Sequence, residues 1–324
     1  MFFALRDHIK SLKWAPGQRI LGAAGGNGRF VLYDPEKKIR LRQFGYSNDS
    51  DHFEILSICW FPSPTKQLVA LGGTSGCAEV WDARTGTLLH SYGEHSPEVN
   101  CLPQSAYPYR RSVYALAWSP NRTYIASAGD DSLVRVWRAT TGETCCVVSE
   151  GPVRAGGLLT WLADNTTLVS GVGSEIIVWD AFSGRIINRF KTPIGYEYSG
   201  CRAISPDGTK IAIATGKVVI YDLATGEAVL TYTLPDGEPT EQATLRYPNN
   251  TPGLVAWSPD GTKLATTFHR QRKRISIWDA VTGKTFLERA SHAPVACLDW
   301  STDSLTLAWG GDGYLETFDI PRRT

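Results

Sequence analysis

Signatures of catalysis are missing from this 324-residue chain. It contains no GxSxG, no HExxH, no P-loop and no cluster of histidines, so the common nucleophilic, zinc-hydrolytic and phosphoryl-transfer chemistries have no local sequence behind them. There is no CxxC pair and no Cys/His cluster either, so neither a metal nor a cofactor is expected. The seven cysteines are scattered at 59, 77, 101, 145, 146, 201 and 297. Cys59, Cys201 and Cys297 fall in segments that read as strands, where a thiol serves as a small buried hydrophobe. Net charge is also lacking: 33 Lys and Arg against 32 Asp and Glu leave +1. That balance argues against bulk attraction to nucleic acid or to an anionic membrane. The first residues, MFFALRDHIK, are apolar for only five positions before Arg6 and Asp7 interrupt them. They make neither a signal peptide nor a membrane span, and a soluble cytoplasmic protein is expected.

What the chain does have is repetition. Residues 253–292 read as four short strands, each ended by a turn signal. LVAWS stops at Pro259-Asp260-Gly261, KLATTF at the polar run from His269 to Arg274, and RISIWD at Asp279-Ala-Val-Thr-Gly283. Gly283 supplies the positive φ that such a hairpin turn needs. One four-stranded sheet cannot bury both its faces, so copies are required, and they recur along the whole chain. The strand-three signature appears at Tyr33, Trp81, Trp137, Trp179, Tyr221, Trp278 and Phe318, at intervals of 48, 56, 42, 42, 57 and 40 residues. A second signature precedes each by 17 to 21 residues, at Trp14, Trp60, Trp118, Trp161, Ile204, Trp257 and Trp300. Ten of the eleven tryptophans fall on these two positions, and only Trp309 does not. Regularity of that kind marks core residues rather than a substrate platform.

A period in the forties with four strands and a Trp-Asp pair is the blade signature of a β-propeller. On the segments VWD (178–180), IWDAVTGK (277–284) and their copies, the chain resembles the WD40-repeat family over essentially its whole length. The resemblance implies an all-β, seven-bladed propeller with four antiparallel strands per blade. It also implies a polar tetrad in each blade: a Trp on strand three, a Ser or Thr on strand two, a His before strand one and an Asp in the turn before strand three. The tetrad is poorly kept. The third repeat has Trp137 and Asp131 but no histidine nearby in sequence. The seventh has His292 and Asp312, with Phe318 in place of the tryptophan.

The repeats divide one domain, 1–324, into blades at 8–44, 52–92, 113–150, 156–191, 199–234, 253–292 and 295–320. Two hairpin turns depart from the pattern. Asp34-Pro-Glu-Lys-Lys38 lacks the usual glycine and should be looser, and Arg138 replaces the aspartate whose side chain would accept backbone hydrogen bonds. Gly310-Gly-Asp-Gly313 reads as the turn between strands two and three of the last blade rather than as a metal or nucleotide loop. The last blade reaches strand three five residues from the end of the chain, so its fourth strand must come from elsewhere. Residues 2–7 precede His8 as Leu287–Ser291 precede His292, and are expected to complete that blade and close the ring.

Strands alternate in direction, so the turns from strand one to two and from three to four share one rim. The turns from two to three and the links between blades share the other. The first rim has almost only tight turns. The second collects the insertions at 45–54, 96–112, 191–198 and 235–252, together with the basic turn 269–274. Long loops on a rigid scaffold are where binding usually sits. Those loops hold Tyr46, Tyr107, Tyr109, Arg110, Arg111, Tyr196, Tyr198, Arg246, Tyr247, His269, Arg270, Arg272, Lys273 and Arg274, of types that dominate interfaces. The expected function is a non-catalytic scaffold or sensor that binds a protein or peptide on this rim, as a monomer or as a subunit of a complex. A second reading is a site, catalytic or not, for an acidic, phosphorylated or nucleic-acid ligand. Arginine forks suit carboxylate and phosphate, although one basic turn in a neutral protein is a weak footprint for nucleic acid. The basic turn reads equally as a solvated hairpin paired with Asp236, Glu238 and Glu241.

Overall fold

Runs of β-branched and aromatic residues separated by Gly, Asp and Ser turns leave this chain little choice but short antiparallel strands. The computed structural model describes residues 2–45, 53–93, 95, 112–148, 158–172, 174–192, 202–214, 217–232, 253–267 and 273–321. Among them, no helix is long and apolar enough to cross a membrane. Five sheets have four strands each, ordered as in the chain. The first holds β5 (Ile55–Trp60), β6 (Leu68–Gly73), β7 (Ala78–Asp82) and β8 (Thr87–Tyr92). The second holds β9 (Val113–Trp118), β10 (Tyr124–Gly129), β11 (Val134–Arg138) and β12 (Thr144–Val148). The third holds β13 (Leu158–Trp161), β14 (Thr167–Val172), β15 (Glu175–Asp180) and β16 (Ile186–Lys191). The fourth holds β17 (Arg202–Ile204), β18 (Lys210–Ala214), β19 (Val218–Asp222) and β20 (Ala228–Tyr232). The fifth holds β21 (Val255–Trp257), β22 (Lys263–Thr267), β23 (Arg274–Asp279) and β24 (Thr285–Ala290).

The remaining strands are β1 (Phe2–Trp14), β2 (Leu21–Gly25), β3 (Arg29–Asp34), β4 (Ile39–Gly45), β25 (Val295–Trp300) and β26 (Thr306–Asp319). They form a single sheet in the order β25-β26-β1-β2-β3-β4. Seven separate sheets follow from the repeat; hydrogen bonding makes six. The cause is the length of β1, whose start pairs with β26 (Phe2 with Glu316, Ala4 with Tyr314) while its end pairs with β2 (Trp14 with Leu21). One unbroken strand thereby joins the first and last repeats. β26 is long as well and folds back on itself, since Ile320 N donates to Leu305 O at 2.7 Å and Gly313 sits at φ 77°.

The first strands β1, β5, β9, β13, β17, β21 and β25 touch in that cyclic order, and β25 touches β1. The sheets therefore stand around a closed ring, which is a β-propeller. Within a sheet, the second and third strands face a neighbouring sheet on both sides. They accordingly read as continuous buried runs, as in Ile275–Trp278 of β23. Fourth strands lie at the circumference, and in β4 Ile39–Gln43 are exposed throughout.

The hairpin turns hold their shape by one device. The Oδ1 atoms of Asp82, Asp180, Asp222 and Asp279 accept the N–H groups two and three residues on. In the first repeat Asp34 does the same for Glu36 and Lys37, at 3.1 and 3.0 Å, while Lys38 adopts φ 59° where the other turns have glycine. This hairpin keeps the common form but carries a lysine in a left-handed conformation. Arg138 offers no such acceptor. Its turn closes by backbone hydrogen bonds, Gly142 N to Arg138 O and Arg138 N to Glu143 O at 2.8 Å each and Thr141 N to Arg138 O at 3.3 Å, and its guanidinium lies 5.6 Å from the centre of the Tyr124 ring.

Candidate functional site

Of the fourteen rim residues singled out by the sequence, twelve lie outside the described residues: Tyr46, Tyr107, Tyr109, Arg110, Arg111, Tyr196, Tyr198, Arg246, Tyr247, His269, Arg270 and Arg272. The other two stand at the start of β23, Lys273 just before it and Arg274 as its first residue. Lys273 is exposed, and its carbonyl accepts Ser291 N at 2.5 Å. Arg274 is half-buried, pairs with Ala290 across the ladder and holds the Glu288 carboxylate of β24 in an ion pair. Its cation is thus committed to its own blade, whereas Lys273 faces solvent at the same rim.

The chemically richest cluster lies in the third repeat. The histidine that local spacing does not supply is His95, which arrives from before the 96–112 insertion. Its Nδ1 is 3.0 Å from both oxygens of Asp131, and its Nε2 is 2.8 Å from Ser127 Oγ. Trp137 Nε1 donates to the same Ser127 Oγ at 3.2 Å, and Arg135 closes an ion pair on Asp131. Burial would raise the Asp131 carboxyl, but hydrogen bonds and charge from His95 and then Arg135 outweigh it and hold the group below the usual carboxylate range. The tetrad is complete here, contrary to the sequence expectation. The sequence hides it because seventeen residues of insertion separate the histidine from the strand it serves; the matching order at His8 and His292 is the only clue.

Serine, histidine and aspartate in this order are also the parts of a nucleophilic triad. Two facts exclude that use of Ser127. Its exposure is 0 %, and its oxygen is already occupied by the indole N–H. The group is a buried, satisfied network that fixes strands to each other.

The last repeat solves the same problem differently. His292 Nδ1 lies 3.0 Å from Glu316 rather than on Asp312, and Asp312 instead takes His8 at 2.7 Å across the seam between the last and first repeats. Trp309, the tryptophan outside the pattern, is buried on β26 and donates to Ser291 Oγ at 3.1 Å. It supplies from strand two the indole that Phe318 cannot supply from strand three. Phe318 takes the Arg289 guanidinium on its face at 3.9 Å. In the fourth and sixth repeats the strand-three indoles donate to Ser170 (3.2 Å) and Thr266 (2.8 Å). Trp81 donates to Glu79 at 3.0 Å.

Five of the six strand-one tryptophans staple their repeat to the one before it. Trp60, Trp161, Trp257 and Trp300 donate to the backbone oxygens of Lys13, Ala117, Ala203 and Ala256, each at 3.1 Å, and Trp14 to that of Asp299 at 3.3 Å. Trp118 Nε1 is buried and has no hydrogen-bond partner among the described residues. At the seam, the Asp299 carboxylate takes Lys13 Nζ at 2.8 Å and Trp14 N at 2.9 Å. The carboxylate raises the Lys13 ammonium above its ordinary value. Nearby thiols are not activated: burial pushes Cys59 up to about 11 and Cys297 up to about 12. Cys77 is disulfide-bonded, and Cys59, Cys145, Cys146 and Cys297 are free. Among the described residues, no group of three or more His, Cys, Asp or Glu is placed to hold a metal.

Known proteins are similar to this chain in sequence. A family model described as WD domain, G-beta repeat matches residues 103–138. The chain is 26% identical over 319 residues to a periodic tryptophan protein 2 homolog of Dictyostelium discoideum, covering 96% of this chain and 30% of that protein. It is 21% identical over 194 residues to WD repeat-containing protein 1 of Mus musculus, 58% of this chain and 28% of that one. Against the F-box-like/WD repeat-containing protein TBL1X of Macaca fascicularis it is 26% identical over 144 residues, 42% and 24% of the two lengths. The chain thus spans no more than 30% of the length of these relatives. With the repeated Trp pairs, the Asp-capped hairpins and the closed ring of sheets, these matches show that this chain is similar to the WD40-repeat β-propellers.

Proposed function

We propose that the chain is a non-catalytic protein-interaction scaffold whose partner sits on the rim carrying the long Tyr- and Arg-rich loops. The observation that carries this reading is the satisfied state of the interior. The Ser127–His95–Asp131 group is closed to substrate, the thiols are not activated, and all but one of the six strand-one indoles are spent on stapling neighbouring repeats. Such an interior is rigid, and its chemistry is structural. Variable chemistry is left to the loops, which on alternating strands leave from one rim. The WD-repeat relatives agree with a scaffold in general terms.

In this reading the six-stranded sheet does the work of two blades. β25, the folded-back β26 and the start of β1 make one, and the rest of β1 with β2, β3 and β4 makes the other, giving seven blades divided as the repeats divide the sequence. The protein acts as a monomer or as a subunit of a larger complex, in the cytoplasm.

Affinity capture with mass spectrometry tests the rim. Partners retained by the wild type should be lost from an Arg270→Glu, Arg272→Glu, Lys273→Glu variant or from a Tyr107→Ala, Tyr109→Ala variant. Arg274 is left intact because reversing it would strand Glu288. Full retention of every partner by both variants overturns the rim reading. The compartment is tested at Cys77, because disulfides are rare in reduced cytosol. Because Cys77 is fully buried, the protein is denatured on release from cells: alkylation of Cys77 then, without prior reduction, supports cytoplasmic residence, and protection from alkylation contradicts it.

A further inference from the structure

We propose that the outer edge of the first repeat docks an acidic, extended segment of a partner protein, which adds to β4 as a further antiparallel strand. This surface lies on the circumference and is independent of the rim loops.

β4 ends its sheet, so among the described residues one side of its backbone has no strand beside it. Its residues 39–43 are all exposed, and two of them are aliphatic: Ile39 at 46% and Leu41 at 42%. Arg40 and Arg42 alternate with them, and Lys37 and Lys38 stand in the turn just before. Arg40 Nη1 rests on Gln43 Oε1 at 2.9 Å and Arg42 Nη1 on Thr85 O at 3.1 Å, which leaves each guanidinium further N–H groups for a carboxylate. The strand is thus a row of free backbone groups with an apolar face and a cationic face.

Charge decides the occupant. Residues 8–44 hold eight lysines and arginines against two carboxylates, Asp34 and Glu36, a net +6 in a chain whose total is +1; Lys13, Arg19 and Lys37 already hold carboxylates, and Lys38, Arg40 and Arg42 are the cations left to this edge. The remainder of the chain is therefore acidic overall, and the basic charge is concentrated in one sector of the ring. A second β4 would meet this edge with like charge and be repelled, which excludes self-pairing through it. A segment alternating acidic and aliphatic residues satisfies both faces at once. In strand addition the main-chain hydrogen bonds give affinity and the alternate side chains give specificity. Of the other described outer edges, β8 (TLLHSY), β12 (TCCVV) and β20 (AVLTY) carry no Lys, Arg, Asp or Glu, β24 (TFLERA) carries Glu288 beside Arg289, and β16 (IINRFK) carries two cations where β4 and its turn carry four. Edge cations also discourage promiscuous pairing. Protection alone does not account for two exposed aliphatics retained between them.

The test uses the full chain and a fluorescein-labelled peptide, Glu-Val-Glu-Val-Glu-Val-Glu-Val, followed by anisotropy. Its lysine counterpart and a single-stranded oligothymidylate serve as parallel probes. Saturable binding of the acidic peptide alone is expected. A Lys37→Gln, Lys38→Gln, Arg40→Gln variant should weaken it by roughly tenfold, about 1.4 kcal/mol, and Ile39→Thr, Leu41→Thr should do likewise at unchanged melting temperature. Leu88→Thr, Leu89→Thr on β8 and the Tyr107→Ala, Tyr109→Ala rim variant should bind as wild type, which separates failure here from failure of the rim reading. Unsaturable binding, equal binding by every variant, or capture of the oligonucleotide through the same cations overturns the proposal.

Discussion

Removing the His95 imidazole would leave the buried Ser127 and the half-buried Asp131 with a partner missing at each. A buried polar group without its hydrogen bond costs about 1–3 kcal/mol, so His95→Ala should lower stability by roughly 2–4 kcal/mol, read as a fall in the denaturation midpoint. A smaller loss is expected from Asp312→Ala, because its pair with His8 is largely exposed on both sides, and exposed pairs contribute about 0–1 kcal/mol. Equal losses from the two would refute the ranking. Lys38 points the other way. It is held at φ 59° where the equivalent turns use glycine, and an L-residue in that region costs about 1–2 kcal/mol. Lys38→Gly should therefore raise the melting temperature, by an amount corresponding to about 0.5–1 kcal/mol once glycine's larger unfolded-state entropy is counted. The same logic was visible in the sequence only as a missing glycine, which suggested a looser hairpin. The Asp34 cap, which holds the turn in shape, could not be weighed against it without the hydrogen-bond distances.

At the scale of strands and hairpins, two devices repeat and each predicts a pattern across the ring. The strand-one indoles staple neighbouring repeats, with Trp118 the exception. Trp60→Phe should cost about 1 kcal/mol for the lost N–H to Lys13 O, beyond a packing loss common to both, while Trp118→Phe should lose only the packing share. Melts of the two variants side by side give the difference. The turn carboxylates are the second device. Asp34, Asp164, Asp180, Asp207, Asp260 and Asp303 are all held below the ordinary range by hydrogen bonds from their own turns. A depressed folded pKa gives stability that is present above the unfolded value, about 3.9, and that is lost as pH falls through the folded value. Thermal stability should hold at neutral pH and fall as the solution is acidified below about pH 4. A flat profile through that range would contradict the role assigned to the caps. These elements were legible because each repeat writes its strands and turns locally, in Trp spacing and Asp-to-Gly turns. His95 and Trp309 were not, because one is separated from its strand by an insertion and the other takes over a role from a different strand.

The whole molecule depends on how its ends meet. The repeat spacing shows that the last unit lacks a strand and that residues 2–7 look like one; it cannot show that β1 then runs on unbroken and merges two units into one sheet. That continuity gives the seam two kinds of fastening. One is the ladder between β1 and β26. The other is the Asp299 carboxylate, which holds Lys13 Nζ and Trp14 N, with Arg19 reaching Thr306 at 2.9 Å and Asp319 at 3.3 Å. The two make different predictions. Deleting residues 1–7 removes the ladder, leaves the back half of β26 as a free edge and should lower the melting temperature markedly, with aggregation in light scattering, because an uncovered edge is a template for other chains. Asp299→Asn removes the charge but keeps an acceptor in place and the ladder whole, so it should destabilise modestly and leave the protein monodisperse. A ring closed by strand pairing gives that order of effects. If the deletion melts like the wild type and stays monodisperse while Asp299→Asn unfolds early, the ion pair is the fastening and the strand is dispensable.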